Sequence, residues 1–224
     1  MYYIPLNSIS IHEVLDTYFG QMEDEDLNMV IVGANNGDLK DFLTPYLSRS
    51  NVSAVLVEPV GDLFHELEQR FAGAANLRFE NSAIGARTCR KTIYRVGKHE
   101  GMPEWSQGLG SFSKDVILGH ENQVAGLRKH VIAEKVSCIT FGKLMEKHGL
   151  KTVNLLQVDT EGHDYEIMKS LDLGKVRPDV IIAEYLHMTF YQYFALVTLL
   201  MDNNYRVSKS DESFDLIAVD EQIL

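Results

Sequence analysis

Cysteine is scarce in this chain: Cys89 and Cys138 are the only two among 224 residues. At that separation they form neither a disulfide framework nor a zinc-ligand pattern. Both fall in strand-like contexts and read as buried or half-buried thiols. Long apolar runs are missing too. No stretch approaches the roughly 20 residues that a bilayer-spanning helix needs, so no membrane span is expected. The opening Met1-Tyr2-Tyr3-Ile4-Pro5 has no basic region ahead of an apolar one, so no signal peptide is expected, and the expected location is cytoplasmic. Basic residues are outnumbered, 21 against 32 acidic, for a net charge of −11. That balance argues against nonspecific nucleic-acid binding, which neutralises phosphates with Lys and Arg. There is one tryptophan, Trp105, and no internal repeat or low-complexity tract. What is present, 45% hydrophobic and 24% charged residues, is the balance of an ordinary globular chain and excludes disordered and coiled-coil readings. Most of the acidic excess, such as Glu23-Asp24-Glu25-Asp26, reads as solvated loop.

Hydrophobic periodicity supplies the order of elements. Ser10 and Glu13 form a capping box that opens an amphipathic helix with Ile11, Val14, Leu15, Tyr18, Phe19 and Met22 on one face. Residues 29–32, 52–57, 77–84, 153–158 and 180–183 are short apolar runs suited to strands buried on both faces. Helices are expected through Leu39, Phe42 and Leu43, with Pro45 kinking or ending that helix. Others are expected through Leu63, Phe64, Leu67 and Phe71, over Phe141–His148 and over residues 163–171. A long apolar helix over 189–201 should stop at Asn203-Asn204. Its aromatic stripe, Phe190, Tyr191, Tyr193 and Phe194, reads as core-facing. Residues 205–208 and 214–219 form a closing hairpin, while 92–96 and 131–137 are further strands. Strands alternating with helices specify an α/β fold, a doubly wound and mostly parallel sheet with an antiparallel carboxyl-terminal hairpin. The chain reads as a single domain over 1–224, with an N-terminal helical segment over 1–28. Residues 97–130 form a lid-like insertion, rich in glycine, weak in periodicity and home to Trp105.

In such sheets ligands bind beyond the carboxyl ends of the strands, and the chemically expressive residues fall there: Gly33, Glu58, Asn81, Asp159 and Glu184. Gly33-Ala34-Asn35-Asn36-Gly37 follows the first strand of the repeat. Small residues there let the backbone approach a ligand, and a following helix would offer free N–H groups. Glu58 ends the next strand, where a carboxylate accepts both hydroxyls of a ribose. A dinucleotide site wants Gly-x-Gly-x-x-Gly to bring backbone against a pyrophosphate. Here Asn35 stands at the second glycine and the third is absent, so S-adenosylmethionine (SAM) suits the loop better. Asn81-Ser82-Ala83 is placed to contact its adenine.

These segments, 30–37, 57–59, 81–85, Val158-Asp159-Thr160-Glu161-Gly162-His163-Asp164 and 182–184, resemble the FkbM-type family of SAM-dependent methyltransferases in order and spacing. The resemblance implies a class I methyltransferase (Rossmann-like) fold with a seven-stranded sheet in the order 3-2-1-4-5-7-6. It also implies O-methylation of a sugar or natural-product hydroxyl. Two positions depart from the commoner pattern: Ile31 stands in place of an acidic residue and Gln157 in place of a lysine.

Methyl transfer from a sulfonium asks the protein for binding, alignment and a deprotonated acceptor. Either a general base or a metal meets the last need. His163, Asp159 and Glu161 are the candidate catalytic residues, with His163 as base. Asp159 and Glu184 are the candidate ligands of Mg2+, with His187 one step away. Gly33, Ala34, Asn35, Gly37, Glu58, Asn81, Ser82, Ala83, Ser111 and Asp159 are the candidate cofactor contacts. Ser111 is included because Gly110-Ser111-Phe112-Ser113 resembles a serine-bearing segment of the family. The expected partner is a small-molecule acceptor, and oligomeric state, a homodimer included, is left open. Two readings compete. Tyr165 and Lys169 have the Tyr-x-x-x-Lys spacing of a short-chain dehydrogenase, and the chain could also be a non-catalytic binding protein on the same fold.

Overall fold

The computed structural model describes residues 6–223. The opening pentapeptide, on which the signal-peptide expectation rests, lies outside them. A short strand β1 (Ser8–Ile9) and helix α1 (Ile11–Gln21) precede β2 (Leu27–Val32), α2 (Thr44–Leu47), β3 (Val52–Val57), α3 (Gly61–Arg70) and β4 (Leu77–Glu80). Next come β5 (Ala83–Ile84), β6 (Cys89–Val96), α4 (Glu104–Gln107), β7 (Gly110–Ser111) and α5 (Lys114–Gly119). After 3-10 turns at His120–Asn122 and Leu127–His130 follow β8 (Val131–Ile139), α6 (Phe141–His148), β9 (Leu155–Val158) and α7 (Asp164–Ser170). The chain closes with β10 (Val180–Glu184), α8 (Phe190–Asp202), β11 (Tyr205–Ser210) and β12 (Asp215–Asp220).

The main sheet has eight strands, in the order β1-β11-β12-β10-β9-β2-β3-β4. The strands from β10 through β4 run parallel, and β12 is antiparallel to β10 and β11. The expected count of seven is therefore corrected to eight, because Ser8–Ile9 adds a parallel edge beside β11. Side-chain alternation along each strand builds two cores. Val30, Val32, Val55, Val57, Leu156, Val158, Ile181 and Ala183 face α6, α7 and α8. Met29, Ile31, Ala54, Leu56, Leu155 and Ile182 face α1 and the segment around Phe42–Leu47. The capping box of α1 is half made: the Ser10 side chain accepts from Glu13 N. Among the described residues, no helix is long and apolar enough to cross a membrane.

A second sheet of four strands, β5-β8-β6-β7, flanks the first. It corrects the expectation of one strand over 77–84: the chain turns at Asn81-Ser82, so Ala83–Ile84 pairs with β8 instead of β3. Cys89 and Cys138 lie directly opposite each other on β6 and β8, as unpaired thiols. Residues 97–130 are ordered around a small apolar cluster in which their Leu109, Ile117, Val124 and Leu127 pack with Val96 of β6.

Two further expectations are corrected. Pro45 does not end a helix through Leu39; it sits in the first turn of α2, where a missing N–H costs nothing. The glycine loop therefore does not lead into a helix amino terminus. On α8 only Leu196, Val197 and Leu200 are buried, while Phe190, Tyr191 and Phe194 are exposed. Amphipathic spacing reports a stripe, not what covers it. Asn204 does take the left-handed conformation that ends the helix region, with φ 61°.

Candidate functional site

A cavity of about 950 Å³, counting its open mouth, lies at the carboxyl ends of β2, β3 and β9. Its walls include Gly33, Asn35, Glu58, Ser82, Ala83, Asp159, Glu161 and His163. The sequence candidates Ala34, Gly37, Asn81, Ser111 and Glu184 do not line it.

Gly33 is required twice over. Its φ is +89°, and a Cβ there would stand 1.7 Å from the Asp159 carbonyl oxygen. The turn after β2 is thus pressed against the turn after β9, so two candidate segments share one backbone contact. Asn35 also has a left-handed backbone, with φ 51°, which asparagine tolerates. Its N–H donates to Glu58 Oε2 at 3.0 Å, and its side-chain amide donates to the Gly108 carbonyl at 3.0 Å. Ala34 is buried, its N–H donating to the Val57 carbonyl, and Gly37 packs against Arg70 and Phe71.

Glu58 is 5% exposed. Each carboxylate oxygen accepts one backbone N–H, from Asn35 on one side and from Val60 at 2.8 Å on the other. Burial pushes its pKa up to about 7, and those two donors limit the rise. Each oxygen keeps a lone pair for a further donor. Asn81 spends its amide on the carbonyls of Glu58 and Pro59, fastening the turn rather than facing the cavity. Ser82 and Ala83 do line it, with Ile84, Ile93 and Phe112. The Ser82 hydroxyl donates to Glu80.

The Asp159–Asp164 turn is shaped by Asp164, which is buried and accepts from Thr160 N at 2.8 Å and Gly162 N at 3.1 Å. Its place in the family-like motif is thus structural. Burial pushes its pKa up to about 7. Glu161 and Gly162 follow with φ of 53° and 95°. Ser111 reaches the site through backbone, donating to the Glu161 carbonyl at 2.6 Å. His163 lines the cavity edge-on to Phe112, with centroids 4.9 Å apart. Burial, helped by Lys91, pulls its pKa down to about 4, so it is neutral at pH 7.

Lys40 was not singled out by the sequence. It lies 2.9 Å from Asp159 Oδ2 and 3.8 Å from Asp215 Oδ2. Burial works against its charge, yet the carboxylates of Asp159 and Asp215 hold its pKa above the ordinary lysine value. Burial and repulsion from Asp159 and Glu161 push Glu184 up to about 10. A magnesium ion on Asp159 and Glu184 does not fit: the cation beside Asp159 is already the Lys40 ammonium, 2.9 Å away. Around this cluster Gln157 Oε1, Thr160 Oγ1, Glu184 Oε2 and Asp215 Oδ1 are buried with no hydrogen-bond partner among the described residues. Gln157 and Thr160 line the cavity, which presents them to a polar ligand.

Tyr165 and Lys169, the dehydrogenase-like pair, are elsewhere. They lie on α7 with the lysine ammonium 5.6 Å from the tyrosine ring centroid, and neither lines the cavity.

The sequence profile of the methyltransferase FkbM domain matches residues 32–207. Among solved structures, a methyltransferase FkbM from Methylobacillus flagellatus KT superposes with a TM-score of 0.56 at 12% identity, over 95% of this chain and 48% of that one. The chain thus spans about half the length of that relative. The likeness shows the α/β fold with its mixed sheet. A precorrin-6y C5,15-methyltransferase from Geobacter metallireducens GS-15 gives a TM-score of 0.46 at 12% identity, over 96% of this chain and 94% of that one. A SAM-dependent methyltransferase from Aquifex aeolicus gives 0.43 at 11%, over 93% and 88%. Among curated proteins, none matches the sequence.

Proposed function

Because the chain belongs to the FkbM methyltransferase family, we propose that it binds SAM in this cavity and transfers the methyl group to a hydroxyl of a small acceptor, a sugar or another natural product. The observation that carries the reading is Glu58: a buried carboxylate at a strand end, held by two backbone N–H groups with capacity for two more donors. That is what a ribose diol asks for. In this reading Gly33 and Asn35 lie under the nucleoside, and Ser82, Ala83 and Phe112 flank the adenine. Asp159, Gln157 and Thr160 face the methionine end, where buried acceptors lack partners. Ala34, Gly37, Asn81 and Ser111 act on this site by shaping its turns.

In the reaction an acceptor oxygen attacks the methyl carbon in line with the carbon–sulfur bond. The bonding pair returns to sulfur and the acceptor proton leaves to a base. His163 is the base we assign, since it is neutral and lines the cavity; its low pKa makes it a weak one. Asp159 and Glu161 add negative charge near the sulfonium. No step is assigned to magnesium. We place the protein in the cytoplasm, consistent with its two unpaired cysteines.

Calorimetry with S-adenosylhomocysteine and with NADH tests the assignment. Binding of the first and not the second is expected. Binding of NADH alone would reinstate the dehydrogenase. Tight binding of S-adenosylhomocysteine, with no methyl transferred from labelled SAM to any of a broad set of hydroxyl acceptors, would favour a non-catalytic binding protein.

A further inference from the structure

Three side chains outside the Lys40 cluster converge at one point. His120 starts a 3-10 turn after α5, Glu161 sits in the left-handed turn after β9, and His187 lies in the loop after β10. Each offers one ligand atom, and the three atoms lie within 4.8 Å of one another. The two imidazoles meet edge-on with centroids 5.7 Å apart. His120 Nε2 and His187 Nε2 are both shut off from solvent without a hydrogen-bond partner among the described residues. Glu161 Oε2 lies 2.9 Å from His187 Nε2, within ion-pair distance. An ion pair between those two accounts for one nitrogen and leaves His120 unexplained.

The surroundings hold the three in place. Glu161 keeps a left-handed backbone at φ 53°, its carbonyl fastened by the Ser111 hydroxyl at 2.6 Å. Gly162 gives His187 room, since a Cβ there would come 3.2 Å from the His187 Cβ. Trp105 packs against His120 with ring centroids 5.7 Å apart.

We propose that His120, Glu161 and His187 bind one divalent first-row transition ion of the zinc class, through two imidazole nitrogens and a carboxylate oxygen. Imidazole ligands suit zinc, cobalt or iron; magnesium prefers oxygen ligands and retains its water. Metal–ligand distances of about 2.0–2.2 Å place tetrahedral ligand atoms about 3.3 Å apart. The Glu161–His187 pair, at 2.9 Å, would open by about 0.4 Å, and His120 has at most about 1.5 Å to close. The ion would tie residues 97–130 to the turns after β9 and β10. Three protein ligands leave a fourth position for water or another oxygen donor. Because Glu161 also lines the cavity, the ion would stand at its border. The site rests on side-chain placement alone and stands whether or not the methyl-transfer reading holds.

The test uses the full chain without an affinity tag, stripped with EDTA and titrated with zinc against a chromophoric chelator. One zinc per chain is expected, with a thermal midpoint that rises with zinc. Magnesium at millimolar concentration should not compete. His120→Ala, His187→Ala and Glu161→Gln should each weaken zinc binding at least tenfold. His130→Ala should not, because His130 pairs with His99 at a ring distance of 4.1 Å. Cobalt bound to the wild type should give a visible ligand-field spectrum, a readout that needs no variant to fold. Stoichiometry far below one, no cobalt spectrum, or unchanged zinc affinity in both His120→Ala and His187→Ala would overturn the site.

Discussion

In the main sheet, all five residues of β10 are buried; in the second sheet, the nine-residue β8 buries only Val136 and Cys138. The two sheets meet at the same cavity. The main sheet contributes Gly33, Glu58, Gln157 and Asp159 from its strand ends, and the second contributes Ala83, Ile84, Ile93 and Gly110. The difference teaches a division of labour. Strands packed on both sides cannot shift without opening a core, where each buried Val, Leu or Ile is worth about 1.5–3 kcal/mol. Groups at their ends are held rigidly enough to meet an invariant ligand such as a cofactor. A sheet open on one side has freer positions, and the part of its wall beyond the adenine contacts Ala83 and Phe112 is where acceptor contacts can differ.

Cofactor affinity is the quantity that separates the two regions. The largest effect is expected for Gly33→Ala, whose Cβ would strike the Asp159 carbonyl at 1.7 Å and whose φ is +89°. S-adenosylhomocysteine binding should fall by more than about 100-fold, with a lowered thermal midpoint, since such strain costs on the order of 1–3 kcal/mol or more. Calorimetry and thermal melts read both.

Glu58→Ala comes next. Removing the buried acceptor should cost about 10- to 100-fold in affinity, the worth of hydrogen bonds to a charged group. The melting curve should remain cooperative, which separates lost contacts from lost fold.

The third prediction concerns pH. Burial raises the Glu58 pKa to about 7 from an ordinary 4.5, so between those values the folded state holds more protons than the unfolded. Glu58 therefore lowers the stability of the unliganded protein as pH rises through that window. Hydroxyl donors favour the ionised carboxylate, so cofactor affinity should strengthen from pH 5.5 to 8, by about tenfold. Glu58→Gln should flatten the affinity trend and reduce the stability slope, to which Asp164, also raised to about 7, still contributes; an affinity slope that survives in it would place the titration elsewhere.

The smallest effect on affinity is expected in the second region. Ile117 is fully buried in the cluster under residues 97–130. Ile117→Ala should cost about 2–4 kcal/mol locally while changing S-adenosylhomocysteine affinity by less than about threefold. A loss as large as that of Glu58→Ala would erase the distinction between the two regions.

The same contrast explains what could be read in the sequence. The doubly buried strands announce themselves as apolar runs, and Gly33, Glu58 and Asp159 follow because they end those runs. The second sheet is made by distant pairing, which local patterns do not carry. Ala83–Ile84 looks like the tail of β4 but pairs with β8, and Cys89 meets Cys138 across 49 residues of chain. Lys40 is one lysine in a loop, and only the fold shows that it neutralises Asp159 and Asp215. His120, Glu161 and His187 come from three segments with no common spacing. Pro45 gives an ambiguous signal, because the same residue type stops one helix and starts another. The aromatic stripe of α8 has the right periodicity, yet Phe190, Tyr191 and Phe194 stay exposed.

The central claim is that the strand ends of the main sheet hold the nucleoside of SAM. A crystal structure of the protein with S-adenosylhomocysteine tests it most directly. The account predicts both ribose hydroxyls within hydrogen-bond distance of the Glu58 carboxylate, with the adenine beside Ser82 and Ala83. A ligand bound away from Glu58, or with its ribose turned toward the second sheet, would contradict it.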